Sequence, residues 1–244
     1  MKLDILAIAA HPDDIELSCS GTLLLHKNIG YKTGILDLTK GELGSRGDIE
    51  TRQKESERAS AILKLDIREN AGFRDGFFVN DETHQKALIR FIRKYRPNIV
   101  LGTAPSDRHP DHSRASQLIK DACFYSGLVM IETMDEGVPQ EAWRPKRLFN
   151  YIQDQYIEPD FVVDITEVMP LKMDAIRAYG SQFHSKDFEG PKTYISNENY
   201  LNTVEYRNIM FGKRIGTKYA EGFVSLHNQL GLKDFSSIIL PDLV

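Results

Sequence analysis

Cysteine is scarce in this chain. Only Cys19 and Cys123 occur in 244 residues, far apart and without a Cys-x-x-Cys pattern, so neither a disulfide framework nor a sulfur-ligated zinc is indicated. Both read as small core residues. Long apolar runs are also missing. The N-terminal stretch is interrupted at Asp4 and has neither the length nor the cleavage site of a secretory leader, and no window approaches a membrane span. A cytoplasmic setting is therefore the expectation. Basic charge is not in excess either: 31 Lys and Arg face 35 Asp and Glu, a formal charge of -4. Nothing here carries the electrostatic footprint of a nucleic-acid binder, and the basic cluster at residues 90–96 reads as the solvated face of a helix. No Gly-x-Gly-x-x-Gly follows the first apolar run, which argues against a dinucleotide-binding enzyme.

What remains is an ordinary globular composition, 41% hydrophobic and 27% charged with 17 Gly and 10 Pro, without repeats, low-complexity tracts or linkers. A single domain over residues 1–244 is expected. Residues 3–9 form a short apolar run typical of a buried strand, residues 21–29 have helical character before Gly30, and residues 31–39 read as a second strand. A glycine-rich turn at residues 41–47 precedes a charged amphipathic helix over residues 49–63. Residues 66–78 look loop-rich, residues 84–95 helical until Pro97 stops them, and residues 98–103 form another apolar strand. A helix over residues 113–125, strands over residues 148–152 and 161–165, and a helix over residues 169–179 follow. Beyond Gly180 the pattern weakens, and residues 216–222 read as loop or edge structure. This alternation predicts an α/β fold, a Rossmann-like, mostly parallel sheet flanked by helices, with ligands bound at the carboxyl ends of the strands.

Two strand ends carry unusual side chains. After the first strand come Ala10-His11-Pro12-Asp13-Asp14, and after the strand at residues 98–103 come Asp107-Arg108-His109-Pro110-Asp111-His112. Ionised carboxylates are costly to bury without a partner, and two adjacent ones at the edge of a core point to a cation between them. The competing reading of the first motif alone is that Asp13 or Asp14 caps the next helix. The second motif shifts the balance. A parallel sheet can bring both strand ends together, and imidazole and carboxylate are good zinc ligands. More than three candidates are present, so a base and an oxyanion donor are left over, as hydrolysis requires.

At these motifs the chain resembles the LmbE-like or PIG-L family of zinc-dependent N-acetylglucosaminyl deacetylases, whose signatures are Ala-His-Pro-Asp-Asp and His-Pro-Asp-His. Residues 41–47, the helix bearing Arg52, Ser181-Gln182-Phe183, Thr193-Tyr194-Ile195 and residues 216–223 extend the likeness toward the bacillithiol-pathway branch, which deacetylates N-acetylglucosaminyl malate. Ser45 stands where that branch is expected to have threonine.

The resemblance implies that His11, Asp14 and His112 hold the metal, that Asp13 is the general base, and that His109 is the oxyanion donor or general acid. It further implies that Asp111 hydrogen-bonds His109, and that Arg52, Arg108 and Tyr194 face the substrate, the arginines suited to the malate carboxylates. Read from sequence alone, Arg52 is a solvated helix residue. Zinc is the expected cofactor, although iron(II) or cobalt(II) would accept the same ligands, and the resemblance implies a homo-oligomer, up to a hexamer, acting on a small sugar conjugate without nucleic-acid or membrane partners. The competing functions are a same-fold deacetylase of another N-acetyl sugar, such as a chitobiose unit, and a non-catalytic sugar-binding module. His26, His84 and His227 read as surface or core-edge residues, and His184 is left unassigned.

Overall fold

The computed structural model describes residues 1–184, 190–225 and 231. Its centre is strand β1, Ile5–Ala9, in which every residue is buried. Side chains alternate along a strand, and here Ile5, Ala7 and Ala9 enter one apolar cluster while Leu6, Ile8 and Ala10 enter another on the opposite face. Each fully buried Ile or Leu contributes roughly 1.5–3 kcal/mol relative to exposure. Helices must therefore cover both faces.

They do so in sequence order. After β1 come helices α1, Asp14–Ser18, and α2, Ser20–Asn28. Strand β2, Thr33–Thr39, leads to α3, Ile49–Ile62, which Asp48 caps by accepting the Thr51 N–H. Strand β3, Ile67–Phe73, is followed by α4, Glu82–Tyr95, capped by Asp81. Next are β4, Ile99–Gly102, and α5, Pro110–Tyr125. A small antiparallel ribbon, β5 Met134–Asp135 and β6 Val138–Pro139, precedes β7, Arg147–Tyr151, and β8, Phe161–Asp164. Helices α6, Met169–Arg177, and α7, Tyr200–Lys213, and strand β9, Ala220–Val224, complete the described elements.

The main sheet has the order β3-β2-β1-β4-β7-β9-β8. All pairings are parallel except those of β9, which runs antiparallel to both β7 and β8. The chain moves from β1 toward β2 and β3, then returns to place β4 on the other side of β1. This reversal makes the carboxyl ends of β1 and β4 a topological switch point, where open α/β sheets form their crevice. Both sequence motifs leave the sheet there.

Four local expectations need correction. Residues 67–73, read as loop, form edge strand β3, whose polar side chains find partners on both faces of the sheet: Arg68 forks onto Asp37 and reaches Glu16, and Glu69 accepts from Lys94. Helix α7 lies in the stretch where the pattern had weakened. Residues 216–219 are loop as expected, but residues 220–222 belong to strand β9, which is no edge because it inserts between β7 and β8 with all five residues buried. Its Glu221 is tolerated there through contacts with Lys172 Nζ at 2.6 Å and the Gly21 and Thr22 N–H groups at 2.9 and 2.7 Å, which caps α2. Finally, helix begins at Asp14 and at Pro110, so Asp14, Asp111 and His112 sit on first turns rather than in loops. The expectation for His227 lies outside the described residues.

Candidate active site

Asp13 occupies the position before α1 with φ 117, a left-handed conformation that Asp tolerates better than most residues. Its side chain makes no cap hydrogen bond. The Asp14 carboxylate accepts instead from the His11 N–H at 2.9 Å, so helix capping does not account for the paired carboxylates.

His11, Asp14 and His112 converge. His112 Nε2 lies 3.2 Å from Asp14 Oδ1, and His11 Nδ1 lies 3.6 Å from Asp14 Oδ2. The far nitrogen of each imidazole faces other carboxylates: His112 Nδ1 is 2.5 Å from Asp107 Oδ2, and His11 Nε2 is 3.0 Å from Asp75 and 3.3 Å from Asp111. A carboxylate behind an imidazole fixes its tautomer and presents the other nitrogen as a lone pair, the usual arrangement of metal-bound histidine. His11, His109 and His112 form one compact group that could hold an ion, and His11, Asp75 and Asp111 another. The second group is explained by the His11 Nε2 proton shared between two carboxylates. The donor set at His11 Nδ1, Asp14 and His112 Nε2 fits a divalent cation.

Electrostatics agree with that reading. Burial alone would depress the imidazole pKa values, yet Asp111, Asp14 and Asp75 hold His11 well above 6.5, and Asp14 with Asp107 brings His112 to about 9. The cluster is rich in buried negative charge and draws in positive charge. Burial pushes Asp13 up to about 7, opposed by Arg52 and reinforced by Asp14. For Asp14, burial is outweighed by His112 and His11, and its carboxyl is held well below the ordinary range.

His109 is half-buried and caps α5: its Nδ1 accepts the Asp111 N–H at 3.3 Å. The ring proton is thereby left on Nε2. Burial, then the charges of His11 and His112, lower its pKa. The expected bond between the Asp111 carboxylate and His109 is not how these residues meet. That carboxylate accepts from Arg114 at 2.6 Å and from the Gly76 N–H at 2.9 Å and approaches His11, because Asp111 on the first helical turn contributes only its backbone to the cap.

Arg52 is buried, not solvated; it lines the crevice, its two terminal nitrogens are bonded within the protein, and its Nε has no hydrogen-bond partner among the described residues. Its guanidinium donates to Gln182 Oε1 at 2.5 Å, to the Gly41 carbonyl at 3.3 Å and to Asp13 Oδ2 at 3.4 Å. Gly41 permits this at φ +66, since a Cβ there would lie 1.5 Å from Arg52 Nη1. Arg108 and Tyr194 stand exposed at the mouth, the guanidinium stacked 4.4 Å over the ring, with Asp154 accepting from both. The crevice has a volume of about 410 Å³ and is lined by both motifs, residues 43–46 and residues 193–195. A cavity of equal volume behind Arg52, between α3 and β3, is lined by no histidine.

The profile of the PIG-L family (GlcNAc-PI de-N-acetylase) matches residues 6–123, a span holding both motifs. The chain belongs to the PIG-L family. It is 29% identical over 228 residues to a diacetylchitobiose deacetylase of Thermococcus kodakarensis, covering 89% of this chain and 81% of that protein. To a probable N-acetyl-alpha-D-glucosaminyl L-malate deacetylase 2 of Bacillus subtilis it is 28% identical, covering 75% and 84%. The crystal structure of the conserved protein TT1542 from Thermus thermophilus superposes with a TM-score of 0.83 at 37% identity, over 95% of this chain and 98% of that one.

Within this PIG-L site several residues went unread in the sequence. Asp75 follows β3 and Gln153 and Asp154 follow β7, all at strand carboxyl ends, and Asp107 lies inside the second motif. His184, by contrast, is exposed near Glu198, while His26 and His84 serve local contacts. Among the described residues no helix is long and apolar enough to cross a membrane.

Proposed function

We propose that this PIG-L protein is a metal-dependent hydrolase that removes the acetyl group from an N-acetylglucosaminyl conjugate, with N-acetylglucosaminyl malate as the substrate. One observation carries the reading: Asp13 is buried beside the His11, Asp14 and His112 donor set, belongs to neither the ligands nor a helix cap, and opens onto the crevice. A binding module has no use for such a carboxylate. A divalent cation, zinc on this reading, would be held by those three residues and would supply Lewis acidity, activating water and polarising the acetamide carbonyl.

Asp13 accepts the proton of the attacking water. As the carbon–oxygen bond forms, the carbonyl π electrons move to its oxygen, which receives a hydrogen bond from His109 Nε2–H. Collapse breaks the carbon–nitrogen bond, and the proton held by Asp13 passes to the departing amine. Acetate and the free amino sugar conjugate are the products. Asp111 acts through His11 on this account, and Arg52 through Asp13. Arg108 remains to meet an anionic aglycone, beside the Tyr194 ring.

A second reading, a chitobiose-type substrate, is favoured by the commitment of Arg52, which leaves one mouth arginine where two were expected for a dicarboxylate. Turnover of N-acetylglucosaminyl malate and of diacetylchitobiose, measured before and after chelation with zinc add-back, separates the two. Activity that survives chelation would remove the metal-dependent mechanism.

A further inference from the structure

Gln153 lies two residues beyond β7, is 4% exposed, and sits against the crevice. Its Nε2 donates to Asp14 Oδ1 at 2.7 Å. A carboxylate offers acceptors only, so the amide must present its NH2 end to Asp14 and leave its carbonyl end behind. That oxygen, Oε1, is buried without a hydrogen-bond partner among the described residues. An unpaired buried acceptor costs roughly 1–3 kcal/mol. A leucine or methionine of similar volume would avoid the cost. Glutamine is therefore explained by what its other end does.

The two oxygens of Asp14 are held separately. Oδ2 accepts from the His11 N–H, and Oδ1 accepts from Gln153, which together fix the plane of the carboxylate. Gln153 is itself anchored by helix α7. The guanidinium of half-buried Arg207 donates through Nη1 to the Gln153 carbonyl and through Nη2 to the Leu17 carbonyl. Leu17 belongs to α1, the five-residue helix that Asp14 begins. One forked cation thus grips both the helix bearing Asp14 and the residue that orients its side chain. The planar fork matters, because an ammonium of similar charge has no fixed pair of donors to span two carbonyls.

We propose that Gln153, held in place by Arg207, is a positioning residue that fixes the Asp14 carboxylate and thereby sets the affinity of the site for its divalent cation. The proposal rests on the metal assignment given under the proposed function. Neither residue touches the reacting atoms.

The test uses the full chain carrying Gln153→Leu and, separately, Gln153→Met, with Arg207→Lys as a third variant. Zinc affinity is measured by competition with a chelator, melting temperature on the metal-free protein, and kcat and KM at saturating zinc. Zinc affinity is expected to fall by about 10–100-fold in both Gln153 variants, the range typical when a partner behind a metal ligand is lost. The metal-free melting temperature should change little, since relief of the unpaired Oε1 offsets the lost bond to Asp14, and KM at saturating zinc should stay within about twofold. Arg207→Lys should weaken zinc binding less. A merely structural role predicts the opposite pattern: lower metal-free stability with unchanged affinity. Affinity of the Gln153→Leu protein within threefold of wild type, or a loss that tracks falling metal-free stability, overturns the proposal alone. A wild-type protein that binds no zinc removes the metal-dependent function and this proposal with it.

Discussion

Replacing Arg52 with methionine separates two roles that give different kinetics. The resemblance implies a substrate contact, whereas the structure joins Arg52 to Asp13 at 3.4 Å with both side chains 7% exposed. At that distance, with an effective dielectric constant of about 20, the attraction is on the order of 5 kcal/mol. Even a quarter of that, about 1.2 kcal/mol, is close to the ~1.4 kcal/mol of one pKa unit. The sign follows from the chemistry. A general base works ionised, so activity falls as pH drops through its pKa, and removing a cation that lowers this pKa moves the acid limb upward. Burial places Asp13 at about 7 without a bound cation, and a dication beside it pulls the value down, so the wild-type acid limb of kcat/KM should lie between the ordinary 3.8 and 7. In Arg52→Met the limb should rise by about one unit or more, with activity recovered at high pH and KM changed by less than about threefold. Measuring kcat and KM from pH 5 to 9 at saturating metal, with pH limits of about that span, decides it. An unmoved limb with KM raised about tenfold or more would refute the coupling to Asp13 and restore Arg52 as a substrate ligand.

Three further outcomes follow from the geometry. Gly41→Ala should reproduce the upward limb shift, because the new Cβ would lie 1.5 Å from Arg52 Nη1 at a φ of +66; an unchanged pH profile in the variant would contradict the reasoning. Arg108→Ala should raise KM for N-acetylglucosaminyl malate by about tenfold and leave diacetylchitobiose unaffected, in steady-state assays of both substrates. Glu221→Leu strands the buried Lys172 and should cost about 3–5 kcal/mol in denaturant unfolding, largely recovered by adding Lys172→Met. Burial lowers the Lys172 pKa and Glu221 opposes this; a depressed lysine binds fewer protons folded than unfolded, so the milder deficit of Glu221→Gln should shrink as pH rises from neutrality toward 10.5.

The sequence made the centre of the fold legible and its margins less so. Strands β1 and β4 announce themselves by unbroken apolar runs and β2 by Ile35, Leu36 and Leu38 around Asp37, because both faces of a parallel sheet are covered. Strand β3 hides behind Arg68, Glu69 and Asn70: the two charges are paired with residues remote in the chain, and the Asn70 amide donates to the Thr39 carbonyl. Helix α7 and strand β9 are equally obscure, since Glu221 looks solvated until Lys172 and the N-terminus of α2 are seen around it. The same misreading concealed part of the site. Inspecting the residue after every strand leads to His11 and to His109 and His112, and it would lead to Asp75 had β3 been recognised. Gln153 follows a strand that was recognised, but an amide alone carries no signal; its meaning depends on Asp14, 139 positions away. Arg52 shows the converse: the resemblance turns it toward the substrate, and its bonds to Gly41, Asp13 and Gln182 carry no signal in the sequence.

The bond that caps α5 also limits where protons can rest. His109 Nδ1 can hold the Asp111 N–H only while it carries no proton of its own. Converting His109 to imidazolium would turn acceptor into donor, set two N–H groups against each other, and undo an N-cap of a kind that contributes about 1 kcal/mol. The helix that carries His112 into the site therefore resists ionisation of its neighbour. A fold-stabilising contact thus biases His109 toward its neutral form, which on the proposed function suits a hydrogen-bond donor standing beside Asp13 as the proton carrier.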